Sequence, residues 1–437
     1  MNKTYWIRTF GCQMNDHDSE RIEGLLEVAG YRKTETPDQA DVVIFNTCAI
    51  RENADNKLYG SLGRVKAAKL ARPELKIVVG GCLAEMDRER IVAKAPWVDV
   101  VFGTKNIDAL PGLLRKVEEQ GIPIVEFSET LNVFPSALPA KRGSKWHAWI
   151  AIQFGCNNSC TFCIVPSVRG VETSRRMGDI LSEVRDAVDS GVVEVSLLGQ
   201  NVNSYGRDIY RTPKFAELLL ALDGVEGLRR VRYTSPHPKD FKADVARAMA
   251  TSAVVCEHLH LPVQSGSSSV LKRMKRSYDR DRYLSKVDLA RDHIDDLALT
   301  TDIIVGFPGE TDAEFEQTLS LVEEVRYDAA YTFQYSSRPG TQAASMDDQV
   351  PKNVVKERFA RLTEAQERIS WECNKAHVGQ VMEVLVEGPS KTNEDKVSGR
   401  TRGNKLVHFP STTSAGRFVD VKVTRAAPHY MEGEVAL

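Results

Sequence analysis

Strand-like apolar runs alternate with helix-like segments from residue 4 to about residue 335, and beyond residue 380 the apolar period falls to two. A chain patterned this way folds as parallel α/β layers followed by a small all-β module, because parallel neighbours are joined by helical crossovers. In the first stretch Thr4–Phe10, Asp41–Asn46, Lys76–Gly80 and Val98–Phe102 read as strands. Asp16–Gly30, Ile50–Leu70, Glu85–Ala95 and Ile107–Glu119 read as the helices between and after them, with Thr104 as a cap near the last. This predicts an open parallel α/β sheet. The Ser128–Ser144 stretch, with Pro135, Pro139 and Gly143, reads as a loop and puts a boundary near residue 140.

Six more strand–helix units follow, with strands expected at Ala148–Phe154, Glu194–Leu198, Val231–Thr234, His258–Leu261, Thr301–Val305 and Ala330–Tyr335. Six units are too few for an eight-unit barrel, so a partial (β/α)6 barrel is predicted. Pro351–His377 reads as an amphipathic connector helix, with Val355, Phe359, Leu362 and Ile369 at helical spacing. Val381–Val386, Lys396–Arg402, Lys405–His408, Phe418–Val423 and Met431–Val435 then read as the five strands of a small β-barrel. The expected domains are 1–140, 141–372 and 373–437.

Composition narrows the class. The 437 residues are 42% hydrophobic and 27% charged with a formal net charge of −2, so any nucleic acid must be met by local patches and not by a global basic field. No run approaches the roughly 18 apolar residues of a membrane helix, and the first residues lack a signal-like apolar run. The expectation is a cytoplasmic chain without a membrane segment, where disulfides are rare. Its eight cysteines then call for metal, catalysis or burial.

Cys156-Asn-Asn-Ser-Cys160-Thr-Phe-Cys163 places three thiols within eight residues, directly after the first strand of the second domain. A structural zinc site takes four ligands. Three local thiolates suit a four-iron cluster that keeps one iron open to the amine and carboxylate of a small molecule. Structural or zinc cysteines are the alternative. Cys12, Cys48 and Cys82 each follow an expected strand by one or two residues, in polar or glycine-rich turns. In a parallel sheet those positions share the carboxyl edge, where ligands bind. They suit a second cluster or three buried core cysteines, and spacing leaves both open. Cys256 and Cys373 fit neither set.

With these residues in view, the sequence resembles the methylthiotransferase family within the radical S-adenosylmethionine (SAM) superfamily, along its whole length. The motifs are Thr9-Phe10-Gly11-Cys12-Gln13-Met14-Asn15, Asn46-Thr47-Cys48-Ala49-Ile50-Arg51-Glu52-Asn53-Ala54 and residues 155–170. Leu198-Gly199-Gln200-Asn201-Val202-Asn203-Ser204-Tyr205, His260-Leu261-Pro262-Val263-Gln264-Ser265-Gly266-Ser267 and residues 302–311 follow. Gln13-Met14-Asn15 and Arg51-Glu52-Asn53-Ala54-Asp55-Asn56 resemble the branch that acts on isopentenylated adenosine in tRNA. Other branches act on threonylcarbamoyladenosine of tRNA or on a ribosomal-protein aspartate, and a non-enzymatic iron–sulfur RNA-binding protein is the reading from another class.

The resemblance implies two 4Fe-4S clusters, an auxiliary one on Cys12, Cys48 and Cys82 and a SAM-binding one on Cys156, Cys160 and Cys163. It implies two SAM molecules per turnover, one giving a methyl group to sulfur and the other a 5′-deoxyadenosyl radical that takes hydrogen from C2 of the adenine. No catalytic side chain is assigned beyond the clusters. The terminal barrel resembles a TRAM domain, an RNA-binding module. Expected partners are isopentenylated tRNA, a flavodoxin-type electron donor and a sulfur donor of unspecified kind, with the chain as a monomer and no membrane.

Gln200, Asn201, Asn203 and Gln264 follow barrel strands, where amide groups suit the polar ends of SAM or serve only loop polarity and turn formation, and Gly306 opens a turn that could meet its adenosyl group or serve only as a turn capped by Thr311. His258 and His260 alternate on one strand face and are expected to be satisfied by hydrogen bonds. The basic clusters Arg169 with Arg175-Arg176, Lys272-Arg273-Met274-Lys275-Arg276, and Lys396, Arg400, Arg402 and Lys405 are candidate phosphate contacts or solvated faces. Phe409 and Phe418 are expected to be core more than base-stacking surface.

Overall fold

The computed structural model describes residues 3–49, 52–131, 133–391 and 393–436. Ile50 and Arg51 of the second cysteine motif, and the side chains of residues 52–54, lie outside the described residues. The chain divides into two compact units: residues 1–144, 149–158 and 163–175, and residues 145–148, 159–162 and 176–437.

In the first unit β1 (Thr4–Thr9), β2 (Arg32–Lys33), β3 (Val42–Thr47), β4 (Lys76–Gly81), β5 (Val100–Phe102) and β6 (Ile124–Glu126) form one parallel sheet in the order β2-β1-β3-β4-β5-β6. The central strand β3 is buried throughout, as a parallel sheet with both faces covered requires. One face packs on Leu58, Leu62, Leu83 and Ile91, the other on Ile22, Leu26, Leu110 and Leu114. The expected strands are present, and the two edge strands β2 and β6, too short to show a period, are additional. The helix expected over Glu85–Ala95 is instead two short ones, Cys82–Asp87 and Glu89–Lys94, broken where Arg88 takes φ +46°.

Further on come β7 (His147–Ala151) and β8 (Gln153–Phe154), where the sequence suggested one unbroken strand; β8 pairs antiparallel with β9 (Thr173–Ser174). The second unit holds β10 (Glu194–Leu198), β11 (Arg230–Tyr233), β12 (His258–His260), β13 (Ala298–Val305) and β14 (Ala329–Gln334). The sheet orders are β11-β10-β7 and β12-β13-β14, and the Val231–Val255 bridge links β11 to the segment before β12. This is the open, six-strand partial barrel expected from the sequence. The connector is the helix Lys352–Lys375.

β15 (Val381–Pro389), β16 (Lys396–Arg400), β17 (Leu406–Pro410), β18 (Phe418–Ala426) and β19 (Met431–Val435) close into a barrel in the order β15-β16-β17-β19-β18. Val384, Val386, Val407, Phe409, Val421 and Met431 fill it. Its β16–β17 turn is tied to β11. Arg230 donates to the Arg400 carbonyl, and Arg232 to the Thr401 and Arg402 carbonyls while Arg232 also pairs with Glu194.

Candidate functional site

The first cysteine set is positioned by strand register. Thr47 on β3 is the partner of Gly81 on β4, so Cys48 and Cys82 are the next residues off adjacent strands at the carboxyl edge. Cys12 caps the helix Gln13–Val28, and Cys82 is the first residue of its own helix. Two glycines let the turns close. At Gly81 (φ +92°) a Cβ would fall 2.4 Å from Asn46 Oδ1, and at Gly11 it would fall 2.8 Å from Cys48 Cβ. Buried amides lock the turns together: Asn46 Nδ2 donates to the Asn15 carbonyl (2.8 Å) and Asn15 Nδ2 to the Thr47 carbonyl (3.2 Å).

A buried arginine completes this set. Arg169 Nε donates to Cys82 Sγ at 3.3 Å, and Nη2 donates to Asp18 Oδ2 at 2.7 Å. Burial pushes the Cys82 thiol up, and the Arg169 guanidinium opposes that rise. Arg169 ends the short helix Val165–Arg169, which follows Cys163. Ile164 and Val168 pack with Ala49 and Cys82. Thr104, expected as a helix cap, donates instead to the Val168 carbonyl.

In the second set Asn158 presents both its backbone N and Nδ2 to Cys156 Sγ, each at 3.4 Å. Gly155 (φ +78°) lies so close to the neighbouring backbone that a Cβ would meet the Val171 carbonyl oxygen at 2.1 Å. Around Cys160 another guanidinium is spent internally. Arg276 donates to Cys160 Sγ (3.4 Å), to Tyr278 Oη (2.8 Å) and to the Pro262 carbonyl (3.0 Å). Thr161 and Phe162 anchor the loop, through the Met274 carbonyl and through packing on Val270, Phe307 and Ala343.

Among the described residues no three His, Cys, Asp or Glu side chains converge as a single metal ion requires. A four-iron cube takes its thiolates at separate corners. An all-cysteine donor set with N–H donors on its sulfurs, in turns kept open by glycine, fits such a cluster.

The SAM candidates divide. Gln200, two residues after β10, is buried at both amide atoms, and neither has a hydrogen-bond partner among the described residues. Asn201 Nδ2 is held by Asp240, while its Oδ1 has no such partner. Gln264 takes φ +73°, and its backbone bridges to β13 through the Asp302 carbonyl and Ile304 N–H. A non-glycine residue in that region is strained, as site residues often are. Gly306 donates its N–H to Glu310, and a Cβ there would strike Val355 at 2.4 Å, so its freedom serves packing on the connector helix. Thr311 and Glu314 form a capping box on the helix that follows.

Arg176, Lys272 and Lys275 of the basic clusters are exposed, while most of the others are buried or paired with carboxylates. Arg169 and Arg175 are buried, and Arg273 pairs with Glu314. Lys396 pairs with Glu432, Arg400 with Glu387, Arg402 with Glu257 and Lys405 with Asp328. Phe409 is core, while Phe418 lies under the guanidinium groups of Arg229 and Arg230. His258 and His260 share Thr300 Oγ1 as partner. Cys256 is buried and Cys373 half-buried on the connector helix. The roles of Arg169, Arg276, Asn15 and Asp18 were not legible in sequence, because a buried arginine reads like a surface one.

Residues 4–103 match the family described as uncharacterized protein family UPF0004, residues 150–322 the radical SAM superfamily, and residues 375–436 the TRAM domain. Among solved structures, the cobalamin- and 4Fe-4S-bound radical SAM methyltransferase TsrM from Kitasatospora setae superposes with a TM-score of 0.56 at 12% identity, over 79% of this chain and 74% of that one. The cobalamin-dependent radical SAM enzyme OxsB gives 0.53 at 13% identity, over 84% and 56%. These show the shared fold. A tRNA-2-methylthio-N(6)-dimethylallyladenosine synthase of Thermobifida fusca is 55% identical over 98% of this chain and 88% of its own length. One of Acidothermus cellulolyticus is 56% identical over 100% and 88%. With the cysteine sets placed as described and this identity over nearly the whole length, the chain belongs to the tRNA-2-methylthio-N(6)-dimethylallyladenosine synthase family of radical SAM enzymes.

Proposed function

We propose that this chain adds a methylthio group to C2 of N6-isopentenyladenosine, next to the anticodon of tRNA, using two 4Fe-4S clusters and two SAM molecules per turnover. The observation that carries the reading is the register that sets Cys48 and Cys82 side by side at one sheet edge, with Gly11, next to Cys12, close against Cys48 and with Ile164 beside Cys163 packed against Cys82. Cys12, Cys48 and Cys82 would hold the auxiliary cluster, and Cys156, Cys160 and Cys163 the SAM-binding one. Bound there, the clusters and SAM supply radical chemistry able to open an unactivated aromatic C–H bond, which acid–base groups cannot do.

The chain's own residues bind and orient. Gln200 offers a buried donor and acceptor together, suited to the polar groups of SAM, and Asn201 adds an acceptor. Gln264 is a further candidate by its strained place at the barrel mouth. Gly306 shapes the neighbouring turn. Asn158, Arg169 and Arg276 donate to cysteine sulfurs and orient them. The expected domains, 1–140, 141–372 and 373–437, assign the cysteine edge, the SAM barrel and the TRAM barrel respectively. On the last, the exposed Arg417, Lys422 and Arg425 are the cations presented to tRNA phosphate. No helix among the described residues is long and apolar enough to cross a membrane. We assign the chain to the cytoplasm as a monomer, reduced by a flavodoxin-type donor.

The test is anaerobic incubation of reconstituted protein with SAM, a strong reductant and isopentenylated tRNA, followed by mass spectrometry of nucleosides. A methylthio group on isopentenyladenosine is expected. SAM cleavage with that nucleoside unchanged would overturn the substrate and direct attention to threonylcarbamoyladenosine.

A further inference from the structure

Burying a guanidinium costs several kcal/mol unless its charge and its N–H groups are met. Arg169 is only 3% exposed. Its plane covers the Phe154 ring at 5.0 Å, Nη2 meets Asp18, and Nε meets Cys82 Sγ. Asp18 is as deeply buried and has His17 Nδ1 beside its other oxygen at 3.6 Å. Nη1 has no hydrogen-bond partner among the described residues. A merely structural ion pair would need Asp18 alone. Here the fork is turned so that the cation touches sulfur, with the carboxylate behind it.

We propose that Arg169 is a positioning residue for the cluster on Cys12, Cys48 and Cys82: it holds the Cys82 sulfur by a charge-assisted N–H···S bond, oriented by Asp18, and thereby sets that cluster's reduction potential. The inference rests on reading those three cysteines as cluster ligands. Hydrogen bonds and positive charge at a ligand sulfur stabilise the reduced, more negative cluster. Asp18 acts in the opposite sense from farther away. Removing Arg169's charge therefore makes the cluster harder to reduce, and removing Asp18's charge makes it easier. Opposite shifts from the two halves of one ion pair are the signature of this role. A purely structural pair loses iron or stability from either side alike.

The experiment uses the full-length chain carrying Cys156→Ala, Cys160→Ala and Cys163→Ala, so that a single cluster can load. Iron per chain is measured after anaerobic reconstitution, and the midpoint potential by redox titration followed by electron paramagnetic resonance. Arg169→Gln is expected to lower the reduction equilibrium about tenfold, about 59 mV for one electron, and Asp18→Asn to raise it. Arg169→Lys keeps the charge without the fork and is expected in between, which keeps the test open should Arg169→Gln fold poorly. Normal iron loading with midpoints unmoved, or moved in the same direction by both residues, overturns the proposal and leaves the ligand reading intact. No iron in the parent variant overturns the ligand reading, and this proposal with it.

Discussion

Arg276 Nη1 lies 3.4 Å from Cys160 Sγ, while its Nε and Nη2 are spent on Tyr278 and the Pro262 carbonyl. One side chain thus fixes a thiol of the set proposed to bind SAM against the barrel segment that leads to Gln264. Arg276→Lys keeps a positive charge but cannot make three directed bonds from one plane. Partners of metal ligands typically contribute 10–100-fold. Production of 5′-deoxyadenosine from SAM by the reconstituted variant is expected to fall by about tenfold or more. A parental rate with parental iron content would show that Arg276 does not orient Cys160.

Gly81 concerns the other cysteine set. Its φ of +92° and the 2.4 Å approach of a virtual Cβ to Asn46 Oδ1 leave no place for a side chain. Gly81→Ala must shift either the Asn46–Asn15 amide lock or the start of the helix carrying Cys82. Strain in such a backbone region costs about 1–3 kcal/mol. The expected outcome is a folded protein with its auxiliary iron reduced and SAM cleavage retained. Iron per chain and 5′-deoxyadenosine, measured on the same sample, check this. Full iron loading in the variant would contradict the assignment of that turn.

What sequence showed well was periodic. The switch of period near residue 380 gave the five-strand barrel, and the buried β3 run gave the parallel sheet. The CxxxCxxC spacing is local and so was visible without a structure. The place of Cys48 and Cys82 side by side off adjacent strands followed from one rule about sheet edges, but the partners of that edge did not. Arg169 stands near Arg175 and Arg176 in a stretch that looks like a charged surface, and only tertiary contacts reveal it packed on Phe154 and Asp18. Lys405 and Arg402 misled in the same way, because Asp328 and Glu257, which pair with them, are distant in sequence.

That pairing separates two kinds of basic residue in the terminal barrel. Lys405 is largely buried between Asp328 and Asn374. Lys405→Met leaves Asp328 without its cation and is expected to cost about 3 kcal/mol of stability in denaturant unfolding. Its effect on the salt dependence of tRNA binding is expected to be nil. Lys422→Ala and Arg425→Ala remove exposed charges. Each is expected to lower the slope of log K against log salt by about one, with little change in stability. Loss of slope in Lys405→Met, with none in the other two, would reverse this division.

His237 sets a pH dependence of the second unit. Asn203 clasps its backbone from both sides, donating to the carbonyl and accepting from the N–H, and the ring accepts from Lys239 N while its edge meets Tyr278. Burial, then Arg276 and Lys239, hold the imidazole down to about 2. An unfolded histidine takes a proton near pH 6.5, so below that pH the unfolded chain binds a proton that the folded chain refuses. Stability from this group is therefore complete above about pH 6.5 and falls on acidification toward pH 2. Between pH 7.5 and 5.5 the loss is about 1.4 kcal/mol for one such group. His237→Gln can keep an acceptor in place but does not titrate. It is expected to start less stable and to lose about 1.4 kcal/mol less than the parent over that interval, measured by urea unfolding at both pH values. Equal losses in parent and variant would mean that the folded state protonates His237 and that the ring is not held neutral by its neighbours.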